Sequence, residues 1–517
     1  MKLVSRLAAL AFLLTGLGRA SAQVAGPVRI AQGLIEGPVL AGGVRAFRGI
    51  PFAAPPVGPW RWKAPRPPAA WPGVRAAARF GPRCMQLPIF SDMVFRSDGM
   101  SEDCLYLNVW TPPVHHGAGV PVLLYFYGGG YVAGDGSELR YDGASLARRG
   151  IIVVTANYRL GVFGFLAHPE LTRESPHHAS GNYGLEDQAA ALGWVSRNIA
   201  AFGGDPQRIT IGGESAGSMS VSALMTSPLS RGLIAGAIGE SGALIRPTFP
   251  PVPLTAAEAD GTAFARGIGA VSLASLRALT ADSLLEAANR RFPLAIDGYA
   301  LPASPADILA AGQQARVPLL TGWNSQESDW RALLGAEEPT PENFAVELRR
   351  IFGQDADEAQ QAFPGDTPER VMNSGTLLAG ARFTAFSTWE WAELQRRIGQ
   401  PVYRYFYAHP RPATKAPEES PPPRGAVHSA EIEYALGNLA TNQVYAWTPD
   451  DDTLSAVMQA YFVNFVNTGN PNGAGLPRWP VVDSGRAPQV MVLDVHPHAE
   501  PARHEDAYRF LERFYSR

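Results

Sequence analysis

Along the chain, short apolar runs that end in glycine or polar turns alternate with longer segments of helical period. The runs are Val120–Tyr127, Ile151–Ala156, Ile209–Ile211, Leu233–Ile238, Val317–Thr321 and Val402–Tyr407, with a last one at Gln489–Leu493. Leu185–Ile199 and Leu454–Thr468 carry helical spacing, and a helix is expected over Glu505–Tyr515 near the C-terminus. Runs that are apolar throughout read as strands covered on both faces. Their alternation with helices predicts a mostly parallel central sheet flanked by helices, an α/β class. Residues 255–400 are richer in helical pattern and predict an insertion over the sheet. The Pro-rich, charged stretch 409–425 reads as an exposed loop. No internal repeat is present, so one domain with large insertions is the simplest account.

The N-terminus changes the picture of where that domain starts. Lys2 and Arg6 precede the apolar stretch Leu7–Leu14, and Ala20-Ser21-Ala22 offers a small-residue cleavage site. This pattern predicts a signal peptide over residues 1–22, a domain over 23–517, and a secreted or periplasmic protein. The apolar stretch is shorter than the roughly 18–20 residues that cross a bilayer, and no later segment reads as a membrane span. Removing Lys2, Arg6 and Arg19 with the leader takes the net charge from −3 to −6. That balance argues against a nucleic-acid partner. The two cysteines, Cys84 and Cys104, read as one disulfide in an oxidising compartment. Their spacing and the scattered histidines predict no metal site; His115, His116, His177 and His178 read as solvated loop residues.

Candidate chemistry centres on residues 209–220, "ITIGGESAGSMS". A G-x-S-x-G match is weak by itself in a chain with 53 glycines. Here, however, a β-branched run precedes it and small residues able to continue as a helix follow it. Those are the conditions for a serine held on a sharp strand-to-helix turn with its hydroxyl exposed. Ser215 is therefore the candidate nucleophile, ahead of Ser241 in "GESGA", which lacks the last glycine. A serine needs a base, and the base an orienting acid. In this fold class both follow the serine along the chain, which sets aside His115, His116, His168, His177 and His178. Of His409, His428, His496, His498 and His504, only His428 opens a segment leading into apolar structure after a flexible loop. The acid is expected after another strand, at Glu327 or Asp329. Glu214, beside the nucleophile, reads equally as a gorge acid or as a structural hydrogen-bonding residue.

The motifs "FRGIPFAAPPVG" (47–58), "SEDCLYLNVW" (101–110), "YGGGY" (127–131), "ANYRLGVFGFL" (156–166), "GNYGLEDQAAALGWVSRNIAAFGGDP" (181–206), "GESAG" (213–217) and "YFVNFVNTGNPN" (461–472) occur in order. On these the sequence resembles the type-B carboxylesterase and cholinesterase family of α/β-hydrolases, from about Phe47 to Asn472. The resemblance implies an α/β-hydrolase fold with large helical insertions over the active-site gorge. It implies a serine carboxylesterase with a Ser-His-Glu triad of Ser215, His428 and Glu327, which decides between the two acids. Gly129, Gly130 and Ala216 match the oxyanion-hole residues, and Cys84 and Cys104 the family's first disulfide loop. A small-molecule ester is the implied substrate, and no cofactor is required. A lipase acting at interfaces is the alternative activity, and a non-catalytic adhesion homologue the alternative class; retention of all three triad residues argues against the second. The departures are Ser328 and Ser429 in place of glycines, Tyr127 where many members carry histidine, and Val94 at the position of a choline-binding tryptophan. The last argues against a choline preference. Walls of a substrate pocket are expected from Phe90 and Phe95 in the Cys84–Cys104 loop, and from Trp323 and Arg246.

Overall fold

The computed structural model describes residues 26–113, 119–416, 423–483 and 488–516. The expected signal peptide, His115, His116 and part of the Pro-rich loop lie outside the described residues. A ten-stranded sheet organises the molecule. In chain order its strands are β1 (Arg45–Pro51), β2 (Tyr106–Thr111), β3 (Val120–Phe126), β4 (Ile152–Ala156), β5 (Gly204–Glu214), β6 (Gly236–Glu240), β7 (Leu319–Asn324), β8 (Val402–Tyr407), β9 (Gln489–Leu493) and β10 (His498–Pro501). Across the sheet they run β10-β9-β8-β7-β6-β5-β3-β4-β2-β1. The seven strands from β9 to β4 are parallel, and antiparallel strands close both edges.

The central strands are apolar throughout because both faces are covered. Val122–Phe126 of β3 and Ile152–Ala156 of β4 are buried at every position. The covering helices include α1 (Tyr183–Asn198), α2 (Ala216–Thr226), α3 (Pro368–Gly380), α4 (Phe386–Arg397), α5 (Pro449–Thr468) and α6 (Glu505–Tyr515). In β6, the missing side chain of Gly239 makes room for the Trp391 indole of α4. A Cβ there would sit 2.2 Å from the ring. α5 begins one turn before its apolar pattern, because Thr448 and Asp451 form a reciprocal cap around Pro449.

The 255–400 region is not one insertion. β7 runs through it in the middle of the sheet, dividing it into a helical block before the strand and another after it. The strand expected at Leu233–Ile238 starts later, at Gly236. Ala235 N–H instead bonds Ile209 O at the entry to the sheet.

The strand order places one feature directly. From β3 the chain goes to β4 on one side and later to β5 on the other. Loops leaving the carboxyl ends of β3 and β5 therefore diverge around a crevice, the place where open α/β sheets bind ligands.

Candidate active site

Both loops at that crevice are built from small residues for a steric reason. The β5–α2 turn carries Gly213 and Gly217 on either side of Ser215. A Cβ on Gly217 would lie 2.1 Å from Phe126 O, and one on Gly213 would lie 2.6 Å from the same oxygen. The turn can thus press against the end of β3. Ser215 itself is held at φ 54°, ψ −120°, a conformation that costs a non-glycine residue on the order of 1–3 kcal/mol. Its N–H donates to Glu240 O at 2.8 Å, and its carbonyl accepts from Met219 N–H at 2.9 Å. The strained serine is pinned between β6 and the first turn of α2.

Opposite it runs the loop Gly128-Gly129-Gly130. Gly129 and Gly130 have φ 106° and 62°, which glycine adopts without penalty. A Cβ on Gly128 would lie 2.5 Å from Glu214 Oε2 and 3.1 Å from Ser215 Cβ. The loop, Glu214 and the serine are therefore in mutual contact. Tyr127 anchors the loop from below: it is buried, stacks on Tyr158 at 4.4 Å, and its carbonyl accepts from Tyr158 OH at 2.8 Å. Ala216 is the first residue of α2.

His428 joins this site from more than two hundred residues along the chain. Its Nε2 lies 3.0 Å from Ser215 Oγ and its Nδ1 lies 2.6 Å from Glu327 Oε2. Asp329 instead pairs with Arg331. The other oxygen of Glu327 accepts from Asn324 N–H at 2.7 Å and from Ser241 Oγ at 2.5 Å. Phe383, in a π-turn between α3 and α4, meets the His428 ring edge-to-face at 4.8 Å. The remaining candidate histidines lie elsewhere. His409 bridges Asp451 and Asp494, while His498 lies beside Glu500.

Four glutamates surround this geometry. Glu214 Oε1 lies 3.3 Å from His428 Nε2. Glu431 accepts from Asn324 Nδ2 at 2.6 Å, and Glu240 accepts from Tyr125 OH at 2.8 Å. Burial pushes the Glu214, Glu240 and Glu431 carboxyls well above the usual range, and their mutual repulsion adds to it. Burial disfavours the His428 cation, but attraction to Glu214 and Glu327 outweighs it and raises the imidazole. Each proton that settles on Glu214 removes part of that attraction. A neutral Glu214 thus lowers the proton affinity of His428, which keeps the ring unprotonated to lower pH.

The residues expected as pocket walls are spread over several surroundings. Cys84 and Cys104 do form a disulfide, with Cα atoms 5.0 Å apart. Within their loop it is Met93 that reaches the site, its methyl 3.0 Å from where a Gly129 Cβ would be. Phe90 is exposed and Phe95 lies under the Arg83 guanidinium at 5.4 Å. Trp323 packs edge-on to Tyr508 of α6 at 5.4 Å. It lines a cavity of about 580 Å³ that also touches Glu327 and Arg404. Arg246 is exposed. Of the two departures in the Ser-for-Gly positions, Ser429 sits at φ 65°, where glycine would be unstrained, whereas Ser328 has no positive φ.

Three supporting residues escaped sequence reading. From sequence, Ser241 reads only as a rival nucleophile, whereas its hydroxyl donates to Glu327. Glu431 follows His428 by three residues, a spacing that offers a signal in hindsight. Asn324 ends β7 and bonds both Glu431 and Val427 O.

Comparison with known proteins bears on this site as a whole. The sequence model of the Carboxylesterase family matches residues 25–511. The chain is 37% identical to a fumonisin B1 esterase of Sphingopyxis macrogoltabida, over 87% of this chain and 83% of that protein. It is 35% identical to the para-nitrobenzyl esterase of Bacillus subtilis, covering 87% and 91%, and 35% identical to a human cocaine esterase, covering 88% and 84%. A solved PNB esterase superposes with a TM-score of 0.79 at 34% identity, covering 94% of this chain and 98% of that one.

Proposed function

Because the chain belongs to the carboxylesterase family and is a carboxylic ester hydrolase, we propose that it works through an acyl-enzyme formed on Ser215, with His428 as base and Glu327 as its orienting acid. The observation that carries this reading is the single imidazole whose two nitrogens lie within hydrogen-bond distance of Ser215 Oγ and Glu327 Oε2.

In the first step Ser215 Oγ attacks the ester carbonyl and its proton passes to His428 Nε2. Glu327 holds the Nδ1–H tautomer and stabilises the imidazolium. The negative charge that develops on the carbonyl oxygen is met by the N–H groups of Gly129, Gly130 and Ala216. One such donor supplies roughly 2.7–4 kcal/mol of transition-state stabilisation. His428 then returns its proton to the departing alkoxide, and the C–O bond breaks. Water takes the alcohol's place, loses a proton to the same nitrogen, and attacks the acyl carbon. The carboxylic acid leaves and Ser215 recovers its proton.

The substrate reading is a small-molecule ester. Export from the cytoplasm is part of the proposal too, supported by the leader-like residues 1–22 and by the Cys84–Cys104 disulfide, which persists in an oxidising compartment. The test is pre-steady-state hydrolysis of p-nitrophenyl butyrate, with covalent labelling by an organophosphate. A burst of p-nitrophenol and one label on Ser215 are expected. Labelling elsewhere, or hydrolysis undiminished in Ser215→Ala, removes the proposed nucleophile.

A further inference from the structure

Beside the glycine loop opens a second cavity of about 280 Å³, lined by Gly130, Val132, Phe249, Arg291 and Phe292 among others. Its one charged lining residue is Arg291. The guanidinium lies over the Phe249 ring at 4.5 Å, a contact that fixes the plane of the group while leaving its edge donors available. Its Nη2 is 2.7 Å from where a Cβ of Gly130 would stand. It is therefore no more than about 5 Å from the Gly130 nitrogen that is assigned to the oxyanion. Glycine at 130 thus serves two ends. It frees the loop's backbone, and it leaves space for a cation at the edge of the reacting centre.

This cation has no carboxylate partner among the described residues. Neighbouring protein partly desolvates the guanidinium and lowers it from its ordinary value, and no acid offsets that loss. Arg290, one residue earlier, pairs with Asp260. Arg291 remains exposed at the cavity, so its donors are open to an incoming group. A planar fork of donors at this position matches a carboxylate. Any of the glutamates around His428 that is ionised repels such a group, and a cation at the rim offsets that repulsion.

Resting on the ester-hydrolase reading above, we infer that Arg291 is a specificity-determining residue that recognises a carboxylate carried by the ester substrate, so that the enzyme prefers anionic esters, such as hemiesters of short dicarboxylic acids, over neutral ones of the same length.

The test compares neutral p-nitrophenyl valerate with mono-p-nitrophenyl glutarate, whose carboxylate is on the acyl side. A second pair compares phenyl acetate with acetylated p-hydroxybenzoate, whose carboxylate leaves with the alcohol. In Arg291→Ala, kcat/KM for an anionic ester is expected to fall about 10- to 100-fold, mostly through KM, with its neutral partner changed by less than about twofold. The pair that responds identifies which side carries the recognised group. Arg291→Lys should recover part of the preference, added salt should weaken it, and Arg290→Gln should leave it intact. An equal change for anionic and neutral esters, or no change in either pair, overturns the inference. Hydrolysis of none of the four esters by the wild-type protein would be a failure of the ester reading. Calorimetric titration of glutarate then decides the Arg291 site by itself: saturable binding lost in Arg291→Ala supports it, and no binding to the wild type overturns it.

Discussion

Two neighbouring strand ends carry almost the same five residues. β5 ends in Gly213-Glu214-Ser215-Ala216-Gly217 and β6 in Gly239-Glu240-Ser241-Gly242-Ala243. The strands are parallel, with Glu214 in register with Glu240. Both serines adopt a positive φ, 54° and 57°, and both glutamates are buried. Yet the first serine meets the imidazole and the second holds the acid. The difference lies in the position after next. Gly217 lets the turn close on Phe126 O and feed into α2, lifting Ser215 to the crevice with 8% of its surface exposed. Ala243 stands at the equivalent place, no helix follows at once, and Ser241 remains fully enclosed at 0%. An enclosed hydroxyl can orient a neighbouring carboxylate but cannot reach a substrate.

The comparison breaks most sharply at the serines themselves. Ser215→Ala should lower kcat for a neutral ester by about 10^6-fold. Ser241→Ala should lower it only roughly tenfold with little change in KM, since Glu327 loses one of its donors. Equal losses in the two variants would mean that both hydroxyls take part directly.

The next largest effect is steric. Gly217→Ala drives a methyl against Phe126 O and should destabilise the fold by about 3 kcal/mol, with loss of activity, because backbone cannot swing aside as a side chain can. Ala243→Gly should cost under about 1 kcal/mol and leave turnover in place. Thermal melts and rates on both variants measure the contrast.

The paired glutamates separate on pH. Glu214 is the largest of the attractions that raise the His428 imidazole, and Glu240 is not among the causes of that shift. The base must be unprotonated, so activity rises with pH through the imidazole's titration. Glu214→Gln removes an anion that favours the protonated ring. It should move the acidic limb of kcat/KM down by about one pH unit. Glu240→Gln should leave the limb where it is. An unmoved limb in Glu214→Gln would mean that Glu214 is neutral across this range and acts only as a hydrogen-bonding group.

The smallest effect concerns the serines that replace family glycines. Ser429 sits at φ 65°, so Ser429→Gly should raise stability by up to about 1 kcal/mol. Ser328→Gly relieves no such strain and should lower it by a few tenths to about 1 kcal/mol. Denaturant midpoints at constant slope read both.

Much of this site was legible because steric rules leave few choices at a strand-to-helix turn. Glycines at 213 and 217 around a serine are needed wherever a turn must approach another strand's carbonyl, and the pattern can be read without coordinates. The acid was harder: Glu327 and Asp329 are chemically alike and two residues apart, so residue chemistry leaves both open; the family motif selects Glu327, and the loop after β7 carries it to His428. The pocket walls were least legible. Phe90, Phe95 and Trp323 have the right composition for a substrate wall, but side-chain direction in a disulfide loop or at the end of a strand depends on what packs behind it. Met93 reaches the glycine loop in their place, and Trp323 is taken up by Tyr508 of α6.

Local order along the chain therefore settled the parallel sheet, the turn that strains Ser215 and the pool of histidines and acids available to it. Those depend on periodicity, backbone sterics and residue chemistry over a few positions. Folding in three dimensions settled that Ser241 turns inward to hold Glu327, that one imidazole meets both Ser215 and Glu327, and that Arg291 stands beside Gly130 with no carboxylate partner among the described residues. These depend on the relative placement of segments tens to hundreds of residues apart, which no local pattern encodes.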